Sequence, residues 1–359
     1  MKANNYIKNI TFLCLTIFSV LLSCTEKSKQ LTKEEVKDFA RKLEISVSKR
    51  ESAFFDNAID RKEMMKRAGL SAGKYSKEKI NLGTSVVNAL SKNGTFELIK
   101  QYDKAGIWHL LFRLYENDNM ALNYFDFELM PRNDEVKIAD GYAYNVGQNL
   151  SEVLKDLYHQ MDELEANAKE DKDKWLDLIP DMRKLVSQGK FNEALGIFQT
   201  IPPDVRKIKL MQIIHVIICS GVDVETQQAA LNEYKELYPG EPNIALLEMS
   251  GYLLMENYEL ALPALDELDK MIDKDPLLDF HRSICYKMLG KYDQQKECLA
   301  RLIHNIPDFE NGMLELIAVY LKNKDYEKAR PLVKDFRTRS RFNQNSLSLI
   351  LSSYPGFQE

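Results

Sequence analysis

The chain has 359 residues, 45% of them hydrophobic, with 49 Lys and Arg against 54 Asp and Glu and a formal charge of −5. That length has room for two domains of ordinary size. A mildly acidic surface argues against nucleic acid as the main partner, because neutralising phosphates takes clustered cations.

At the start, Lys2 and Lys8 precede Ile10 to Leu22, an apolar run of 13 residues broken by little besides Thr and Ser. A bilayer-spanning helix needs about 20 apolar residues, so the run fits a secretory signal peptide better. Its ending, Leu21-Leu22-Ser23-Cys24, resembles the lipobox of bacterial lipoproteins, with Cys24 at the invariant position. The resemblance implies cleavage of residues 1–23, a diacylglycerol thioether on Cys24 and an acylated new amino terminus carrying palmitate-type chains. The plainer alternative is a signal anchor whose cysteine is incidental. Cleavage would leave 336 residues and, without Lys2 and Lys8, a charge of −7. Acyl chains contribute about 0.8 kcal/mol per buried methylene, enough in combination to hold a protein on a membrane. Thr25 rather than Asp follows the cysteine, which by analogy with enterobacterial sorting implies the outer membrane. Residues 24–31 then form a tether.

Residues 32–149 suggest an α+β domain. Thr32 stands three residues before Glu35, a capping-box signature, and Val36, Phe39, Ala40 and Leu43 recur at helical spacing. Helical stretches follow at 61–68 and 76–90. After Asn93-Gly94 the period becomes two, predicting strands at 95–102, 107–116, 122–130 and 135–144 with short links, hence an antiparallel meander. Trp108, Leu110, Phe112 and Leu114 share one face with Phe125, Phe127 and Leu129, and the helices must cover them. Helices followed by a four-stranded meander resemble the cystatin-like, nuclear-transport-factor-like group of α+β folds, a likeness of fold that no motif supports. Some folds of that group hold a small ligand in the cone of the sheet. Residues 150–174 read as a charged linking helix.

From Trp175 the chain repeats. Tyr252, Tyr286 and Tyr320 are 34 apart, as are Tyr258, Tyr292 and Tyr326; Ala261, Gln295 and Ala329, then Leu265, Leu299 and Val333, keep the same register. The phrases "GYLLMENYELALPAL", "CYKMLGKYDQQKECL" and "VYLKNKDYEKARPLV" resemble the tetratricopeptide repeat, a 34-residue helix–turn–helix unit. Here the first tyrosine should fill helix A, the second should pack at the start of helix B, and the alanine should let the two helices approach. Gln295 departs from the small residue expected there. "QGKFNEALGIF" extends the pattern backwards, and "GVDVET" is a longer turn. Five helix pairs are expected, at 177–203, 207–240, 243–275, 277–308 and 310–338, with 343–351 closing a solenoid over 175–351 and a tail at 352–359.

Such solenoids present a concave face. The register places Leu246, Leu247, Ser250, Phe280, His281, Ile284, Leu314, Glu315 and Ala318 on it, an apolar set able to take a partner's helix or extended peptide. The alternative is that these residues pack on each other or on the neighbouring domain. The set lacks the Lys and Asn cluster with which chaperone-binding relatives hold a terminal carboxylate.

Chemistry is sparse. The second face of the sheet carries His109, Arg113, Tyr124, Asp126 and Glu128, a candidate acid–base group or else a face of cross-strand ion pairs or a docking surface for the repeats. Five cysteines, at 14, 24, 219, 285 and 298, include no C-x-x-C and no zinc spacing. Cys285 and Cys298 could pair in an exported protein, although three thiols beyond Cys24, all in apolar helical settings, favour buried free cysteines. Catalytic, phosphate-binding and calcium motifs are absent, and the histidines at 109, 159, 215, 281 and 304 show no i, i+4 pair. The expectation is a membrane-anchored, non-catalytic scaffold of the bacterial cell envelope that binds a protein or peptide, without cofactor or metal. The rival is an enzyme or small-ligand receptor using the α+β domain.

Overall fold

A computed structural model describes residues 30–70, 80–91, 94–116, 120–156, 158 and 175–358. The signal-like segment with Cys24, and most of the expected linking helix, lie outside the described residues.

Helix α1 (Lys33–Ser48) starts at a full capping box: Glu35 N–H donates to Thr32 Oγ1 (3.3 Å) and Thr32 N–H to the Glu35 carboxylate (2.9 Å). The chain turns at Arg50, in the left-handed region, and continues as α2 (Ala53–Ala58), α3 (Arg61–Arg67) and α4 (Leu82–Ala89). Strands β1 (Thr95–Lys104), β2 (Ile107–Glu116), β3 (Ala121–Arg132), β4 (Glu135–Ala143) and the short β5 (Gln148–Asn149) form one antiparallel sheet in sequential order. Two-residue turns with positive φ, Ala105-Gly106 and Asn133-Asp134, set the β1–β2 and β3–β4 hairpins. Against the sheet, α1, α2 and α4 bury Val36, Phe39, Leu43, Phe55 and Val86 on Phe96, Leu110, Phe112, Phe125 and Phe127. Phe96 and Phe112 stack at 4.6 Å. Gly141 lies opposite Phe127 because a Cβ there would come within 2.6 Å of that ring.

The second half is a tetratricopeptide-like stack of helix pairs: α5 (Trp175–Ser187) with α6 (Phe191–Thr200), α8 (Lys209–Cys219) with α9 (Val224–Leu237), α10 (Ile244–Leu254) with α11 (Tyr258–Ile272), α12 (Leu278–Met288) with α13 (Tyr292–Asn305), and α14 (Glu310–Lys322) with α15 (Tyr326–Thr338). The short α7 (Pro203–Arg206) bridges the first two pairs and α16 (Gln344–Ser352) ends the stack. The α+β sheet followed by this helical array is the fold class the sequence implies. The second helices begin at 191, 224, 258, 292 and 326, an interval of 33 residues followed by three of 34, so the 34-residue period holds from the second pair on and the first pair lies one residue off it. Helix α16 begins 34 residues after α14, and Tyr354 follows Tyr320 by 34, which puts this segment in the register of a sixth first helix.

Burial follows the rungs. Ala261, Ala329, Leu265, Leu299 and Val333 are sealed, and so is Gln295, whose amide takes an alanine's place inside the stack. The second tyrosine ladder differs from expectation. Tyr258, Tyr292 and Tyr326 do start their helices, yet Tyr292 is 45% exposed.

Candidate interaction surface

The concave residues expected to meet a partner face the chain's own sheet. Leu246 shares a buried cluster with Leu111, Tyr124 and Tyr144, and Phe280 shares one with Tyr115. His281 is enclosed, its Nε2 3.4 Å from the Met120 carbonyl oxygen and its ring edge-on to Tyr115. Ile284 and Leu314 border the Phe280 cluster. Leu247 turns into the preceding pair, beside Ile213 and Leu231, and Glu315 binds Lys287 at 2.9 Å. While the sheet is seated, most of this surface is closed to an outside chain.

A ladder that sequence reading missed seats the sheet. Glu241, Asp275 and Phe309 lie 34 residues apart, in successive loops between helix pairs. Glu241 accepts from Tyr142 Oη (3.0 Å), Asp275 accepts from Tyr124 Oη (2.8 Å) and from Arg113, and Phe309 packs on the Tyr115 ring at 5.7 Å. The end of the sheet also comes close. Gly147, at φ +60°, leaves a would-be Cβ 2.5 Å from Asn243, so a larger residue would push the β4–β5 turn off the repeats. A usable signal existed in the strands: Leu111, Tyr115, Leu122 and Tyr124 interleave with the polar residues of the second face, and a strand pair apolar on both faces is covered on both.

Arg113 is 3% exposed and bridges Asp275 to Glu97. Burial opposes its charge, but the two carboxylates more than offset that and hold its pKa above the ordinary value. Burial, followed by the Asp275 charge, pushes the Tyr124 hydroxyl well up, so it remains a donor. Burial also lowers the pKa of His281, with Asp275 favouring its charged form and Arg113 opposing it. In the unfolded chain a histidine titrates near about 6.5. As pH falls through that value the unfolded state takes up the proton first, and stability is lost until the lower folded pKa is reached. The urea midpoint should therefore fall from about pH 7.5 to about pH 5.5, and by less in His281→Gln. An equal fall in the variant would remove His281 from the account.

The candidate acid–base group separates. Arg113 and Tyr124 go to the junction, while His109 Nδ1 stays 3.2 Å from Asp126, which also accepts from the Tyr102 hydroxyl. Tyr102 stacks on His109 at 5.0 Å, and Glu128 is held by Arg67 (2.5 and 2.9 Å), which depresses its pKa. This cluster can position a proton, but no cysteine joins it. Cys219, Cys285 and Cys298 are free and buried elsewhere, and burial pushes their thiols up to about 12, 12 and 11. Among the described residues no group of three His, Cys, Asp or Glu could hold a metal, and no helix is long and apolar enough to cross a membrane.

No protein-family model matches the sequence, and no curated protein matches it. Among solved structures the chain is similar to a MamA double mutant (RS-1 ArsTM) at 13% identity, over 50% of this chain and 96% of that one, with a TM-score of 0.37. It is also similar to MamA of MSR-1 (15% identity, 46% and 99% covered, TM-score 0.35) and MamA of AMB-1 (14%, 50% and 98%, 0.36). Likeness at this level assigns no family, so function has to come from the junction and the repeats themselves.

Proposed function

We propose that the protein is a non-catalytic interaction adaptor of the bacterial cell envelope, lipid-anchored through Cys24 and probing for a partner protein with its repeats. The observation that carries this reading is the five-fold run of equivalent helix pairs, whose concave side holds the chain's own sheet and whose hairpin turns leave Leu254, Met288 and Tyr292 exposed. The sheet then acts as a base that stiffens the array, and the outer turns meet the partner. The lipobox resemblance and Thr25 support an outer-membrane location.

Two measurements test it in intact cells. Cys24→Ala should move the protein from the membrane fraction to the soluble fraction and abolish incorporation of a palmitate analogue; unlabelled wild-type protein would sink the anchor. Cross-linking followed by mass spectrometry should join peptides of residues 244–338 to another protein. A second reading, a small-molecule site at the His109–Asp126–Tyr102 end of the sheet, is favoured by that proton-positioning cluster. It would displace the adaptor reading if His109→Ala removed a measurable ligand affinity while cross-linking found no partner.

A further inference from the structure

The second tyrosine ladder is completed differently at each rung. The residues that the 34-residue register brings to its side are Leu289 for Tyr258, Asn323 for Tyr292 and Phe357 for Tyr326. At the last rung the Phe357 ring packs on Tyr326 at 5.6 Å and 63°, and Arg330 Nε donates to the Gln358 carbonyl oxygen at 3.1 Å. The tail there is a tight turn after α16, closed by the Phe357 N–H donating to the Tyr354 carbonyl oxygen at 2.9 Å, and it is held on the repeat by one aromatic side chain and one carbonyl. At the middle rung the aromatic is missing. Asn323 stands in its place, Tyr292 is 45% and Met288 55% exposed, and a cleft of about 750 Å³ opens, lined by Gly290, Tyr292, Asp293, Gln294, Lys296 and Asn323. Lys296 is the register equivalent of Arg330 and is held by Asp293 at 3.1 Å on the surface, so a donor for a backbone carbonyl is in place. Lys322 Nζ lies 4.2 Å from the Tyr292 ring centre on a flexible side chain that can swing aside.

We infer that the cleft beside Tyr292 is a docking site for an aromatic side chain carried on a tight turn of a partner protein. The chain's own tail, seated one rung further on, shows the chemistry such a turn needs. An aromatic ring meets the tyrosine edge-to-face, and a neighbouring carbonyl takes the cation. The polar lining suits a turn, whose free backbone groups need partners once covered. This deepens the adaptor reading and rests on it.

The probe is a fluorescein-labelled peptide with the sequence of residues 352–358, titrated by anisotropy against the full-length protein. Saturable binding is expected, at least tenfold weaker with Tyr292→Ala and retained with Tyr292→Phe. Asn323→Phe fills the cleft from within and should also weaken binding at least tenfold, at an unchanged or higher melting temperature, which separates occlusion from misfolding. A peptide carrying Phe357→Ala should not bind. Absence of saturable binding to the wild type, or equal affinity in Asn323→Phe, overturns the site. If cells show a cross-linked partner that Asn323→Phe leaves in place, the adaptor reading stands and this site falls. Self-association that Asn323→Phe abolishes would make a second copy the occupant and overturn the assignment to a partner.

Discussion

Asp275→Ala is expected to lower the stability of the whole molecule by about 3–5 kcal/mol, the usual loss when one member of a buried ion pair is removed. The Asp275 side chain is fully buried and serves three donors: Arg113, Tyr124 Oη at 2.8 Å and the Leu277 N–H at 2.9 Å. Alanine leaves the Arg113 guanidinium enclosed with Glu97 as its remaining carboxylate and strands the Tyr124 hydroxyl. Unpaired buried groups carry the full cost of lost hydration, which is larger than the gain from pairing them. The same asymmetry gives a control. Arg113→Met combined with Asp275→Leu removes both charges and should recover most of the loss, because apolar replacements of similar volume are often neutral. Urea unfolding followed by circular dichroism measures both. A loss under about 1 kcal/mol for Asp275→Ala, the range of an exposed pair, would mean that the sheet does not sit on the repeats in solution.

How legible the molecule is from sequence depends on whether one residue type does one job repeatedly. Tyrosines at a fixed interval gave away the helix pairs, because each occupies an equivalent place at the end of a first helix or the start of a second. Alternation marked β2 at Ile107–Glu116 to the residue, since its core face is unbroken from Trp108 to Leu114. The two-residue β5 had no pattern to read; it exists because Gly147 turns the chain back onto β4. The junction was harder to see. Its three anchor points are Glu241, Asp275 and Phe309, equivalent in place and different in chemistry, so no ladder of like residues shows. The polar face and the concave face each looked solvated or partner-binding alone. Each sequence reading named the other surface among its alternatives, but complementarity between Arg113 and Asp275, 162 positions apart, is a tertiary fact. The exposed Tyr292 was missed for the opposite reason: its ladder mates share its type, and only the residue one turn later, Asn323 rather than Phe, distinguishes it.

Leu299→Ala should cost about 2–5 kcal/mol, the range for truncating a buried leucine without collapse of the site, and the way that loss spreads tests whether the two halves behave as one. Leu299 is fully buried in a cluster that also contains Tyr115 of the sheet, Phe280 and Leu316. In an isolated solenoid each unit touches only its neighbours, so damage in one pair stays local and distant pairs melt on their own. Here one rigid sheet spans three successive inter-pair loops, through Tyr142, Tyr124 with Arg113, and Tyr115. Loosening the fourth pair should therefore loosen the sheet as well. The two tryptophans report on different regions: Trp108 belongs to β2, and Trp175 to α5 in a cluster that contains no sheet residue. With Trp175→Phe as background, Leu299→Ala should shift the Trp108 fluorescence midpoint in urea together with the helical signal. With Trp108→Phe as background, the Trp175 midpoint should shift less. A Trp108 midpoint that stays put while the helices weaken would show the sheet to be a separate body, and the stiffened array proposed to carry the partner site would lose its base.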